Sequence, residues 1–338
     1  MPWVNLYCKS DNNFDTWDSD ALAKGSFGVF LPFYAFKNQT PPNQLFSQLL
    51  GIVQECERLG YDAVWLDDHL MYGITPMLEC WTTLSALASA TTKIRLGTMV
   101  TSNAFRNPAL LAKMAATVDV ISNGRLEFGI GAGVQKEEHE AYGYPFPKPI
   151  VRIERLEESL HVIKELWTKE KANYTGKHFK VADAVCEPKP SQKPHPPVTV
   201  GGSGEKHTLR VTAKYADRFD FGYLPTLEEY KRKLQVLKAH CASVGRDFND
   251  LEKSCWPAGQ IILGQNQRAV KEKTQQFKPK SMSCGDFLQY AFAGTPEEFE
   301  VAMQPYVDFG VKHFMLFFRD LPEVGSLRLF AETLGKKT

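Results

Sequence analysis

Three consecutive residues, Asp67, Asp68 and His69, close the apolar run Ala63-Val64-Trp65-Leu66. Two carboxylates beside an imidazole can hold, take up or release a proton near neutral pH, which is the work of a general acid or base. Further on, IRLGTMVTSNAFRNP passes from an apolar strand to polar residues at Thr98 and ends at Asn107-Pro108, a helix start. GIGAG, residues 129–133, has G-x-G-x-G spacing with Val134 after it, not the G-x-G-x-x-G of a dinucleotide fingerprint. It reads better as a strand end whose missing side chains let a flat ring lie against the backbone. Gly201-Gly202-Ser203-Gly204 runs from a short strand into a helix carrying Lys206, His207 and Arg210. Amides freed by glycines at the positive end of a helix suit an anion such as phosphate.

Each segment also has a plainer reading. Asp67 and Asp68 can cap the next segment with His69 on the surface, and Asn103 and Arg106 can be solvated loop residues. Glu137, Glu138 and His139 read more readily as a solvated helix start than as a site, and the glycines at 201–204 can form a tight turn. No HExxH, GxSxG or paired-cysteine spacing is present, so no metal site is expected.

The elements that must position these residues alternate. Strand candidates fall at 27–31, 63–66, 94–100, 126–130, 198–200, 218–221, 260–263 and 313–317, with amphipathic helices between them. Leu45, Leu49, Ile52, Cys56 and Leu59 share one helical face. So do Leu111, Met114, Val118 and Ile121, and likewise Leu156, Leu160, Ile163 and Trp167. Strands separated by helices pair in parallel, and eight such units predict an α/β fold, a single parallel (β/α)8 TIM-type barrel with insertions after strands. A doubly wound open sheet is the rival. Residues 1–24 read as an N-terminal extension and 25–338 as the barrel domain, with insertions around 171–196 and 265–293.

The 338 residues suffice for such a core, and a formal net charge of +1 gives no electrostatic pull toward nucleic acid or an anionic membrane. A small molecule is the expected partner. Seven scattered cysteines and an acidic, polar N-terminus argue for a reducing, cytoplasmic setting, and no stretch is apolar enough to span a bilayer.

Taken together, ERLGYDAVWLDDH, LSALASATTKIRLGTMV, NPALLAKMAATVDVISNGRLEFGIGAG and PPVTVGGSGEKHTLRVTAKYAD resemble the luciferase-like monooxygenase superfamily over roughly residues 26–335, most like its branch dependent on the deazaflavin coenzyme F420. The resemblance implies a non-proline cis peptide at Met99–Val100, forming a bulge behind the cofactor ring. It implies Asp68 and His69 beside that ring, with His69 as acid or base, Gly131 and Gly133 lining the ring, and Gly201, Gly202, Ser203 and Gly204 at the cofactor phosphate. A homodimer is implied as well. Two departures stand out. Val134 sits where deazaflavin sugar-phosphate dehydrogenases carry a glutamate, which argues against that oxidation, and Ala132 sits where bacterial luciferase places an arginine on the cofactor phosphate. The leading expectation is hydride transfer between F420 and a small organic substrate. The alternatives are an FMN-dependent monooxygenase fed reduced flavin by a separate reductase, and a non-catalytic flavin-binding protein.

Overall fold

A computed structural model describes residues 25–36, 40–224 and 226–334. The expected extension, 1–24, lies outside the described residues. Eight parallel strands succeed one another around a barrel: Ser26–Phe30, Ala63–Leu66, Arg95–Thr98, Leu126–Gly131, Val198–Gly201, Arg218–Asp220, Ser254–Cys255 and His313–Leu316. The eighth pairs with both the first and the seventh. The seam between sixth and seventh is closed by the single bridge Arg218↔Glu252 and the bond from Glu252 N to Asp217 O (2.9 Å).

Helices return the chain between most of the strands, as parallel pairing requires. Helix Leu45–Leu59 buries Leu45, Leu49, Ile52 and Cys56, and helix Pro149–Thr168 buries Leu156, Leu160, Ile163 and Trp167, as their spacing predicts. Helix Pro108–Ile121 is capped by the Asn107 side chain on Ala109 N and buries Leu111 and Val118, but Ile121 is 45% exposed, off the expected face. Inside the barrel the Trp65 indole lies between the first and third strands, over Gly28 and Gly97, where any side chain would collide with it.

Three expectations are corrected. Strand Gln260–Leu263 is real but is not the barrel's seventh; it pairs in parallel with Ala291–Gly294 in a separate two-stranded sheet. The seventh strand is the two-residue Ser254–Cys255, too short to leave an apolar pattern. The segment 171–196 does not follow a strand. It comes after a helix, forms the antiparallel hairpin Ala172–Thr175 and Lys180–Ala184, and sends Gln192 to the strands' N-terminal ends, bonding Arg95, Asp119 and Leu126 O. It therefore stands away from the end of the barrel where strand-following loops gather.

Candidate active site

The second strand delivers Asp67, Asp68 and His69 to the C-terminal end of the barrel. Asp68 is buried and fully engaged: Arg106 donates from Nη1 to Oδ2 (2.6 Å) and from Nη2 to Oδ1 (2.9 Å), and Ser102 N donates to Oδ2 (2.9 Å). Arg106 also reaches Glu79 Oε1 at 2.5 Å. Burial pushes the Asp68 carboxyl up against the pull of Arg106. So Asp68 and Arg106 tie the second strand's end to the loop after the third, and Arg106 is not a solvated residue. Asn103 is buried too.

His69 Nδ1 sits 3.0 Å from Glu138 Oε2, and Leu70 N donates to the other Glu138 oxygen. Glu138 and His139 are each 1% exposed, so the short helix Lys136–Ala141 is a buried partner of the loop after the second strand, correcting the solvated reading; Glu137 does face solvent. Burial pulls the His69 imidazole down, but the Glu138 carboxylate outweighs it and the net shift is upward. Glu138 is itself lowered: burial raises it, and bonds from His69 and Leu70 more than offset that. The pair therefore favours a protonated imidazole with Nδ1 engaged, leaving Nε2 without a protein partner among the described residues.

Asp67 differs from its neighbour. Oδ1 accepts from Phe33 N (3.1 Å), while Oδ2 is buried with no partner among the described residues. Burial pushes this carboxyl up to about 6. Ser102 Oγ, Asn103 Oδ1 and His139 Nε2 are likewise buried and unpartnered.

The expected bulge is present. The third strand pairs Leu96 with Leu126, yet beyond the break at Met99–Val100 the short strand Thr101–Ser102 pairs Thr101 with Ile130, so one extra residue sits on the third strand. The Met99–Val100 peptide is cis. The glycines gathered here answer to Val100. A methyl group at Gly131 would meet Val100 Cγ2 at 2.8 Å, and one at Gly201 would meet Val100 Cγ1 at 2.9 Å. Their bareness accommodates the Val100 side chain. Gly133 has a positive φ of 79° and lies against Ser102 Oγ and His139.

After the fifth strand, Gly202 adopts φ 128° and its N–H donates to Asp220 O (2.7 Å). The amides of Ser203 and Gly204 donate to no backbone carbonyl among the described residues, and helix Thr208–Tyr215 starts four residues later without a side-chain cap. The nearby cation is one the sequence does not single out. Buried Lys233, from helix Leu227–Ser243, donates Nζ to Ser203 O (2.9 Å) and Glu205 Oε1 (2.7 Å). Arg210 instead pairs outward with Glu157.

The structure thus brings together His69, Met99, Val100, Gly131, Gly133 and the loop at 201–204, with Asp68 as an internal brace. Sequence reasoning set Glu138 and Arg106 down as solvated residues and passed over Lys233. Glu138 lies 69 positions from His69 and Lys233 lies 30 from Ser203, separations at which no local spacing signals a contact.

A parallel β/α barrel whose C-terminal rim carries a carboxylate-backed imidazole, a bulged third strand and a glycine loop with free amides defines a small-molecule site of the barrel-enzyme kind. Residues 26–327 match the family described as luciferase-like monooxygenase, and the chain belongs to that family. Among its relatives is the F420-dependent glucose-6-phosphate dehydrogenase of Amycolatopsis mediterranei, 28% identical over 300 residues, covering 79% of this chain and 87% of the relative. A phthiodiolone/phenolphthiodiolone dimycocerosates ketoreductase of Mycobacterium tuberculosis is 30% identical over 252 residues, 67% of this chain and 64% of that one. Among solved structures, an F420-dependent secondary alcohol dehydrogenase aligns with TM-score 0.74 and 22% identity over 91% of this chain and 97% of that one. A monooxygenase from Streptomyces bottropensis aligns with TM-score 0.76 and 21% identity over 92% and 99%. At these identities the two structures speak for the fold alone.

Proposed function

We propose that this protein is a coenzyme F420-dependent oxidoreductase acting on a small organic substrate. The observation that carries the proposal is His69, held on Glu138 through Nδ1 with Nε2 free, at the same rim as the Val100 bulge and the open amides of Ser203 and Gly204. The relatives named for F420 dependence support the choice of cofactor.

The residues fit such a group. Two unused amides beside a helix start suit its phosphate, and the bulge packed on Gly131 and Gly201 offers a surface for its ring. When bound, a deazaflavin supplies two-electron hydride chemistry. Ser203 and Gly204 would hold the phosphate, with Lys233 fixing their loop from behind. Met99 and Val100 would set the depth of the ring, and Gly133 would keep the wall beside it open. Asp68 and Arg106 hold the loop after the third strand in register with His69. His69 Nε2 would give a proton to the substrate oxygen in reduction, or take it in oxidation, while Glu138 steadies the imidazolium.

Titration of the purified protein with F420 and, separately, with FMN tests this reading. Selective binding of F420 is expected. Selective binding of FMN, with oxygen uptake in the presence of a reductase, would replace it with the monooxygenase, and binding without turnover of any substrate would leave a flavin-binding protein. The reading includes a homodimer, supported by Leu110 and Ile121, which lie 56% and 45% exposed on one face of helix Pro108–Ile121. Light scattering on the purified protein checks it. A cytoplasmic location belongs to the same reading; among the described residues no helix is long and apolar enough to cross a membrane.

A further inference from the structure

Opposite the glycine side, the rim is built of rings. Trp256 stands against Phe30 (centroids 5.1 Å apart), Phe30 against Phe317 (5.9 Å), Phe317 against Tyr34 (6.0 Å), and Tyr34 against Tyr72 (5.3 Å). Five places contribute: the first strand, the turn after it, the loop after the second strand, and the ends of the seventh and eighth. Each of these positions follows or ends a strand, so the arc stands on the rim that also carries His69. Phe30 and Phe317 are buried as a backing layer, Tyr34 and Trp256 are half-buried, and Tyr72 is 47% exposed.

The polar fittings of this arc are hydroxyls. Among the described residues neither the Tyr34 nor the Tyr72 hydroxyl has a hydrogen-bond partner, so both are available to a ligand oxygen. Trp256 Nε1 is already spent on Asp220 Oδ1 (2.8 Å). Of the neighbouring cations, Arg106 is committed to Asp68 and Glu79, while Arg319 bonds Phe277 O through Nε (3.0 Å) and its terminal nitrogens have no partner among the described residues. Stacking rings with free phenols suit a flat, apolar body bearing one oxygen.

We propose that the substrate is a flat, conjugated or aromatic carbonyl compound, or its alcohol, stacked on Tyr34 and Tyr72 with its oxygen toward His69. This rests on the hydride-transfer reading and narrows it. In the reducing direction a bound reduced deazaflavin would supply the hydride for the new C–H bond at the carbonyl carbon, becoming oxidised by two electrons, while His69 Nε2 would supply the proton that turns the C=O π bond into an O–H bond.

The test uses the full chain with 4-phenyl-3-buten-2-one and, as the contrast, glucose 6-phosphate. Binding to the protein without cofactor is read from tryptophan fluorescence, cofactor affinity by a separate F420 titration, and turnover by consumption of reduced F420. The enone is expected to bind and be reduced. Tyr72→Ala should weaken its binding about tenfold, with KM rising far more than kcat falls, and leave the F420 affinity and thermal midpoint unchanged. Tyr72→Phe should retain most of the affinity through its ring. If F420 binds and glucose 6-phosphate is oxidised while the enone is ignored, the substrate class is wrong and the cofactor reading stands. If the enone binds and Tyr72→Ala abolishes that binding while F420 does not bind, the arc stands and the cofactor reading falls. Enone binding that ignores Tyr72→Ala overturns the arc.

Discussion

His69 and Asp67 lie two residues apart, yet the fold gives them opposite tasks. Glu138 keeps the imidazole protonated to higher pH than an isolated histidine, and removing that carboxylate removes the support. We therefore expect His69→Ala to lower turnover at least about 100-fold. Glu138→Gln should shift the alkaline fall of the reductive rate to lower pH, because the imidazole then loses its proton sooner; a pH–rate profile reads both. A raised histidine pKa contributes stability that is complete below the unfolded value and is lost as pH rises through the folded one. Asp67 has its carboxyl pushed up to about 6 by burial, with one oxygen unpartnered. Its contribution is complete below about pH 4 and lost as pH rises through about 6, where charging an enclosed carboxyl becomes a cost. Asp67→Asn should therefore stabilise the protein at pH 8, by about 3 kcal/mol at most, and do little at pH 4. Urea unfolding at the two pH values checks this.

At the scale of elements, the bulge in the third strand and the glycines at 131 and 201 form one unit. Gly201→Ala sets a methyl 2.9 Å from Val100 Cγ1, and overpacking of that kind costs about 1–3 kcal/mol. We expect it to lower both the thermal midpoint and cofactor affinity, and Val100→Ala in the same chain to restore much of both, a coupling that a double-mutant cycle measures. The glycine positions themselves are plain in the sequence, because GIGAG and GGSG interrupt apolar runs. What they make room for is not, since Val100 is carried on a different strand from either glycine. Helix faces are legible where a periodic stripe meets the barrel, as with Leu156, Leu160, Ile163 and Trp167. The stripe misleads at Ile121, which shares the exposed outer face of its helix with Leu110.

Across the whole molecule, an ionic chain bridges the barrel where its backbone pairing is thinnest. Arg218, at the start of the sixth strand, donates Nη1 to Glu127 Oε2 on the fourth (2.9 Å) and Nη2 to Glu252 Oε2 ahead of the seventh (2.9 Å). His313 Nε2 lies 3.0 Å from the same Glu252 oxygen. Arg218→Ala leaves buried Glu127 with Arg95 alone and should cost about 3–5 kcal/mol, read by denaturant unfolding. Glu252 is held down to about 2 by His313 first and Arg218 after it. Its stabilisation is present above about pH 4 and lost as pH falls toward 2, so Glu252→Gln should flatten the acid limb of the stability curve. The alternation of apolar runs with amphipathic stripes determined by itself that this chain builds parallel β/α units, because each strand needs a helix to return it. It also determined that a proton-handling group and glycine loops stand at strand ends, because those residue types are local. Tertiary structure alone decided which two-residue strand closes the barrel and which end the 171–196 hairpin occupies. It also decided that Glu138, Arg106 and Lys233 serve His69, Asp68 and Ser203, since contacts across 30 to 70 positions arise only when the sheet curls shut.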